Sequence, residues 1–231
     1  MKRKIIVTSD GSHSLEVEEW GETYHSIHGA IQESNHVYIE QGLMKFIDQD
    51  EIKILEFGLG TGLNAFLTMA NVVPKRKKLV YHTIEAFPLT ESEYSVLTFP
   101  SLVSDFEEGE VLFKALHQAS WDVEVDLHPQ VKVQKLHATF ETVAVQQAEF
   151  DLVYFDVFGY QFQPHLWSEA IFKTAYDSLK EGGMLVTYAC RNPIKRNMKA
   201  AGFTIEIVAG PPGKREMLLA YKNRKLLFEN H

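Results

Sequence analysis

The chain has 231 residues, 45% of them hydrophobic and 23% charged, which suits one sizeable core rather than an extended or disordered polymer. It carries 31 acidic against 23 basic residues, a net charge of −8, which argues against a chain that holds nucleic acid through its overall charge. No apolar run reaches the roughly 18 residues of a membrane span, so no membrane partner is expected; one cysteine, Cys190, excludes an internal disulfide and fits a reducing, cytoplasmic setting; and no cysteine pair or His-Glu-x-x-His offers a metal site.

Lys4 to Thr8 reads as a strand, Asp10-Gly11 as a hairpin turn and Ser14 to Val17 as the returning strand. Tyr24 to Tyr38 is rich in groups that stack and hydrogen-bond but has no clean period; it is either a solvated loop or a lid over a ligand. Val37 to Ile47 places Ile39, Leu43, Phe46 and Ile47 on one helical face. Ile54-Leu55-Glu56-Phe57 then reads as a buried strand running into Gly58-Leu59-Gly60-Thr61-Gly62, with a helix from about Leu63. Strand, glycine-rich turn and helix N-terminus make a nucleotide-sized site. The spacing G-x-G-x-G, with no Lys-Ser/Thr after it, disfavours both a pyrophosphate reader and an NTPase.

The helix is expected to end before Pro74, where Lys75-Arg76-Lys77-Lys78 reads as a solvated loop. Leu79 to Ile84 is a second strand, ending at Glu85, where a carboxylate is placed to accept hydrogen bonds from both hydroxyls of a ribose. Thr90 and Glu93 have capping-box spacing for a short helix, and Asp105 to Ala119 is amphipathic. Residues 89–130 therefore read as a small helical insertion, either a wall of the substrate pocket or simple packing. Val131 to Leu136 is a third strand, Phe140 to Gln147 a helix and Phe150 to Asp156 a fourth strand, apolar enough to be central and parallel. A helix over Leu166 to Leu179, stopped by Gly182-Gly183, precedes a fifth strand over Met184 to Ala189. Pro193 suits the first turn of the next helix, closed by Gly202, and Phe203 to Val208 and Glu216 to Tyr221 complete seven strands. The alternation implies an α/β, doubly wound, mostly parallel sheet with ligands at its carboxyl edge. The division expected is a strand and loop extension over 1–40 and one domain over 41–231.

The glycine turn, Glu85 and Asp156 converge at that edge. A carboxylate at Asp156 is placed to face the reacting group and take a proton from an amine, or else merely caps its own loop. Phe158, Tyr160, Phe162 and Trp167 offer faces for a flat base, or belong to the core.

The turn with its preceding acid, E-x-G-x-G-x-G at 56–62, resembles motif I of the S-adenosylmethionine-dependent methyltransferases. F-G-L-G-T-G-L-N at 57–64, E-A-F-P-L at 85–89, F-D-x-x-x-x-D at 150–156, P-x-L-W at 164–167 and G-K-R-E-M-L at 213–218 follow one another in order. As a set, over about residues 24 to 221, they resemble the methyltransferase domain of the MnmC family, called MnmD where it stands alone. The resemblance implies a Rossmann-like class I fold and S-adenosyl-L-methionine as cofactor. It implies a tRNA partner, whose wobble 5-aminomethyl-2-thiouridine is converted to 5-methylaminomethyl-2-thiouridine, and separate enzymes that make the aminomethyl group. By the same resemblance the cofactor lies against Glu56, Gly58, Gly60, Gly62, Asn64, Glu85 and Asp156, and Asp156 is the catalytic carboxylate. Glu33, Phe158, Lys214, Arg215 and Glu216 lie toward the substrate, with an exposed hairpin as the plain account of Lys214-Arg215. Two-part relatives carry a flavin-dependent oxidase after this domain; the chain ends at His231, so no oxidase activity is expected.

Two departures stand out. Val157-Phe158-Gly159-Tyr160 replaces the small residue and proline of many relatives, and the third strand ends Leu136-His137-Ala138-Thr139, without the aspartate that often holds the adenine amine. Lys195, Arg196, Lys199, Lys214, Arg215, Arg224 and Lys225 cluster late and offer a phosphate-binding face despite the acidic total. Methylation of a small-molecule amine, and a non-catalytic cofactor-binding module, are the competing readings.

Overall fold

The computed structural model describes residues 2–223; Arg224 and Lys225 of the expected basic face lie outside the described residues. An N-terminal three-stranded antiparallel sheet is built from β1 (Arg3–Val7), β2 (His13–Val17) and β3 (Glu22–Thr23). The main sheet contains β4 (Glu51–Phe57), β5 (Lys78–Ile84), β6 (Glu124–His128), β7 (Val131–Leu136), β8 (Phe150–Phe155), β9 (Leu179–Thr187), β10 (Thr204–Ala209) and β11 (Glu216–Tyr221). Its order is β10-β11-β9-β8-β4-β5-β7-β6. β7, β5, β4, β8 and β9 run parallel to their neighbours within that set, whereas β11 and β6 run antiparallel. This is the α/β class I methyltransferase arrangement, a mixed and mostly parallel sheet with an N-terminal hairpin extension. The strand order turns between β4 and β8, which opens a crevice at their carboxyl ends.

Eight strands stand where the sequence reading counts seven. The addition is β6, inside the expected helical insertion: Glu124-Val125-Asp126-Leu127-His128 alternates polar and apolar residues and pairs along the free edge of β7. Helices α1 (Ala30–Ser34), α2 (Leu63–Val72), α3 (Glu91–Tyr94), α4 (Phe99–Leu102) and α5 (Gly109–Gln118) precede β6, and α6 (Glu169–Ser178) and α7 (Asn192–Ala200) follow. Two apolar layers flank the sheet. One joins Val37, Tyr38, Leu43, Phe66 and Leu116 to the sheet, and the other joins Trp167, Phe172, Ile194 and Met198 to its opposite face. Both faces are covered, which is why β8 is buried along its whole length.

Three expected helices differ. Val37–Ile47 is replaced by α1, a π-helical turn over Asn35–Glu40 and a 3₁₀ turn over Leu43–Lys45. Val37, Tyr38 and Ile39 of the π-helical turn are buried in succession. Phe140–Gln147 forms no helix: one turn, closed by Val143 N–H donating to the Thr139 carbonyl, gives way to irregular chain over a stretch rich in β-branched residues. The third ends at Ser178 rather than Leu179, and Gly182-Gly183 lie within β9 instead of stopping it. No helix among the described residues is long and apolar enough to cross a membrane.

Candidate functional site

A cavity of about 290 Å³ opens at the carboxyl ends of β4, β5 and β8. Its floor is the glycine turn, through Gly58 and Gly60. Gly58 has φ +93°, and a Cβ there would lie 2.3 Å from the Asp156 carbonyl oxygen, so only glycine lets β4 end this close to β8. The two strand ends are tied by Asp156 N–H donating to the Phe57 carbonyl, and Gly58 N–H donates to Ile84 on the other side. Gly60 has φ +52° and lies under the Tyr24 ring.

Glu85, the first residue past β5, turns its carboxylate back onto the floor. Its Oε2 accepts from Gly60 N–H at 3.0 Å, and its Oε1 accepts from Phe87 N–H at 2.8 Å. The first bond ties the end of β5 to the glycine turn, the second is local, and each oxygen keeps a second lone pair for a further donor.

Asp156, the first residue past β8, lines the same cavity. Its Oδ2 accepts from Asn64 Nδ2 at 2.8 Å. The same Nδ2 donates at 3.1 Å to Glu56 Oε1, while Thr83 Oγ1 donates to Glu56 Oε2 at 3.0 Å. One amide therefore bridges two carboxyl groups. Burial pushes the Asp156 carboxyl up to about 6, against the pull of the Asn64 hydrogen bond. Burial together with the Asp156 charge pushes Glu56 up to about 8. At neutral pH Asp156 is mostly ionised and Glu56 mostly a neutral acid. Tyr38 sets its buried hydroxyl beside Asp156 without closing a hydrogen bond of ordinary geometry.

The N-terminal sheet and the chain just after it supply a wall of the cavity, where the sequence reads as a loop or lid. Glu22, Thr23 and Tyr24 line the cavity. Tyr24 packs edge-on against Phe158 at 4.9 Å, and its hydroxyl accepts from Arg3 Nε at 2.8 Å. Arg3 also reaches Glu93 at 3.2 Å and donates to the Phe87 carbonyl at 2.6 Å. His25 Nε2 lies 2.6 Å from Thr61 Oγ1 in the glycine turn, and burial pushes the imidazole down to about 4, so it is neutral. Phe158 also meets Trp20 edge-on at 5.4 Å, and Trp20 stacks on Phe162 at 6.4 Å, giving an aromatic rim.

Lys214 folds inward. Its ammonium pairs with the buried Glu33 and lies 3.8 Å from the centroid of the Tyr188 ring, which lines the cavity. Glu33 in turn accepts from Ser26 N–H at 2.9 Å. Burial raises the proton affinity of Glu22, and Lys214 opposes this.

The structure thus brings Gly58, Gly60, Glu85, Asp156 and Phe158 to one cavity, with Glu33 and Lys214 behind Tyr188. Glu56 and Asn64 are buried beneath Asp156 and do not reach the cavity, and Gly62 starts α2 against His117. Arg215, on the turn between β10 and β11, and Glu216, the first residue of β11, are exposed. Tyr160 does not line the cavity, and Trp167 is fully buried against Phe155. Glu22, Phe140 and Tyr188 line the cavity without having been expected to, and Tyr24 lines it as the first residue of the stretch read as a loop or a lid. Glu22-Thr23-Tyr24 offers a signal, a carboxylate and a polar aromatic straight after a hairpin, but nothing in a linear pattern points them at the glycine turn.

Comparison with known proteins agrees with this geometry. Residues 109–223 match a family described as S-adenosyl-L-methionine-dependent methyltransferases. Relatives named tRNA 5-methylaminomethyl-2-thiouridine biosynthesis bifunctional protein MnmC include one from Ectopseudomonas mendocina, 26% identical over 86% of this chain and 32% of its own length. Another, from Leptospira borgpetersenii, is 29% identical over 87% of this chain and 32% of its own length. The chain spans about a third of the length of these relatives. Among solved structures, MnmC2 from Aquifex aeolicus superposes with a TM-score of 0.75 at 21% identity, covering 95% of this chain and 70% of that one. Spermidine synthase from Thermotoga maritima gives 0.51 at 13% identity, covering 96% and 69%.

Proposed function

We propose, from the premise that the chain belongs to the S-adenosyl-L-methionine-dependent methyltransferases, that it methylates the primary amine of 5-aminomethyl-2-thiouridine at the wobble position of tRNA, giving 5-methylaminomethyl-2-thiouridine. The observation that carries the reading is Asp156: a cavity-facing carboxylate, held by Asn64 and with its proton affinity raised to about 6.

The residues present fit the cofactor. Glu85 presents a carboxylate at the tip of β5 for ribose hydroxyls, Gly60 offers bare backbone beside it, and Phe140, Val157 and Leu166 supply an apolar wall for a flat base. S-Adenosyl-L-methionine, when bound, supplies an electrophilic methyl group. The rest falls to the chain. An alkyl amine near neutral pH is mostly an ammonium, which has no lone pair to attack with. Asp156 accepts a hydrogen bond from that ammonium and takes its proton, leaving the nitrogen lone pair free along the line of displacement. Glu22, on the wall from β3, adds negative potential that favours the cationic acceptor. The rim of Phe158, Trp20 and Phe162 gives a uracil ring faces to stack on, at about 1–3 kcal/mol per base.

The test is transfer of labelled methyl to tRNA lacking the final methyl, followed by nucleoside digestion. Label is expected in 5-methylaminomethyl-2-thiouridine, and Asp156→Asn should lower kcat by roughly 10²–10⁴-fold. A wild-type protein that binds the cofactor but leaves this tRNA unlabelled overturns the substrate. Labelling of free small amines would then support the second reading, which the net charge of −8 favours.

A further inference from the structure

We infer that the outer face of α7, with the adjoining edge of β10, is the surface that holds the RNA backbone beside the cavity; this rests on the tRNA reading above. The argument starts from where the cations have partners. Lys4, Lys53, Lys132, Lys173 and Lys180 each pair with an acid within 4.0 Å, as do Arg3 and Lys214. Arg191, Lys195, Arg196 and Lys199 form no ion pair among the described residues, although the chain has eight more acids than bases. Lys195, Arg196 and Lys199 fall on α7, and Arg191 immediately precedes it. Asn192, Lys195, Arg196 and Lys199 sit at helical spacings of three and four and line one open groove, whose floor is Ile205 and Ile207 of β10. Of the nearby acids, Glu206 lies on the opposite face of β10 and accepts from the Tyr221 hydroxyl, and Glu216 accepts from Cys190 Sγ at the start of the row without pairing with its cations.

The groove is also correctly placed. α7 begins just past the end of β9, whose next residue, Tyr188, lines the cavity, and Arg191 is near enough to lower the proton affinity of the Tyr188 hydroxyl. From there α7 runs back toward the amino edge of the sheet, with Arg191 and Lys195 nearest the cavity and Lys199 farthest, so a strand whose base enters the cavity would leave it along this helix. Such a row of cations in an open, apolar-floored groove suits a polyanionic strand, since no enclosed pocket for a compact anion is built there. In an acidic chain this local row offsets the repulsion that the total charge imposes.

A second basic cluster, without ion pairs among the described residues, provides the control. Lys75, Arg76 and Lys78 are exposed at the turn that leads into β5, on the amino edge of the sheet and so opposite the cavity. The experiment measures tRNA affinity against salt, KM for tRNA and affinity for S-adenosyl-L-methionine. It compares wild type, Lys195→Gln/Arg196→Gln/Lys199→Gln and Lys75→Gln/Arg76→Gln/Lys78→Gln. Each phosphate left without its cation should reduce the slope of log affinity against log salt by about 0.7–0.9. The α7 triple variant should therefore lose about two units of slope and raise KM for tRNA at least tenfold, with cofactor affinity unmoved as proof of folding. The amino-edge variant should keep the wild-type slope. An α7 variant with wild-type slope and KM, or an equal loss in both variants, overturns the assignment while methylation of tRNA by the wild type stands. A wild type that neither binds nor methylates tRNA removes the substrate reading and this face with it.

Discussion

Asn64 donates through one nitrogen to both Glu56 and Asp156, while burial and the Asp156 charge hold the proton on Glu56 more tightly than on Asp156. Asp156 borders the cavity and ionises near 6, so kcat/KM should fall as pH drops below about 6, when its protonated form no longer accepts from the acceptor amine. Glu56 is sealed beneath and is raised to about 8. Its folded state holds the proton more tightly than the unfolded chain, whose glutamate titrates near 4.3. Its stabilising share is thus complete below about pH 4 and is lost as pH rises through 8. Glu56→Gln keeps a neutral hydrogen-bonding group and should flatten the decline in unfolding free energy between about pH 5 and 8, measured by denaturant titration. Because Glu56 is still protonated when Asp156 ionises, the acid limb of the rate profile should stay near pH 6 in that variant. A rate profile that moves with Glu56 would show that the two carboxyls titrate as one unit. The letters E, N and D were legible in the motifs, but their shared amide was not, since it joins positions eight and ninety-two residues apart.

At the scale of elements, the N-terminal sheet is a wall of the site rather than an appendage. Arg3 on β1 binds the Tyr24 hydroxyl, Glu93 of the Thr90 capping box and the Phe87 carbonyl, so one side chain clamps the sheet over the loop that follows Glu85. Arg3→Ala should raise the Kd for S-adenosyl-L-methionine about tenfold, by isothermal titration, and hasten proteolysis within residues 3–23, with kcat at saturating cofactor reduced less. An unchanged Kd would make the clamp purely structural. The elements with local causes were readable: the Thr90–Glu93 box, Pro193 in the first turn of α7 and Gly202 closing it all stand as expected. The misread ones have tertiary causes. Phe140 leaves helical pairing to pack on Phe57 at 5.3 Å and line the cavity. β6 exists because β7 offers a free edge, which no window of sequence contains.

Across the whole molecule, the same residues that end β4, β5 and β8 fix both the sheet's carboxyl edge and the floor of the cavity, so cofactor binding and folding should be linked. The parallel strands and the glycine turn were legible because buried parallel strands read as apolar runs, as in Phe150–Phe155. The closing wall from residues 22–24 was not, because it depends on where a separate sheet docks. A ligand that binds only the folded chain adds RT ln(1 + [L]/Kd), about 2.7 kcal/mol at a hundredfold excess over Kd. For a domain of this length each kcal/mol shifts Tm by roughly 2–4 °C, so saturating S-adenosyl-L-methionine should raise Tm by about 5–10 °C. Glu85→Ala removes the carboxylate that accepts from Gly60 and Phe87 and faces the proposed ribose position. It will lower the starting Tm because those two hydrogen bonds go with it, so the informative quantity is the ligand-induced increment, which should fall to about 2 °C or less at the same cofactor concentration. An increment equal to that of the wild type would place the ribose elsewhere along the edge and leave Glu85 with the structural task of joining the β5 end to the glycine turn.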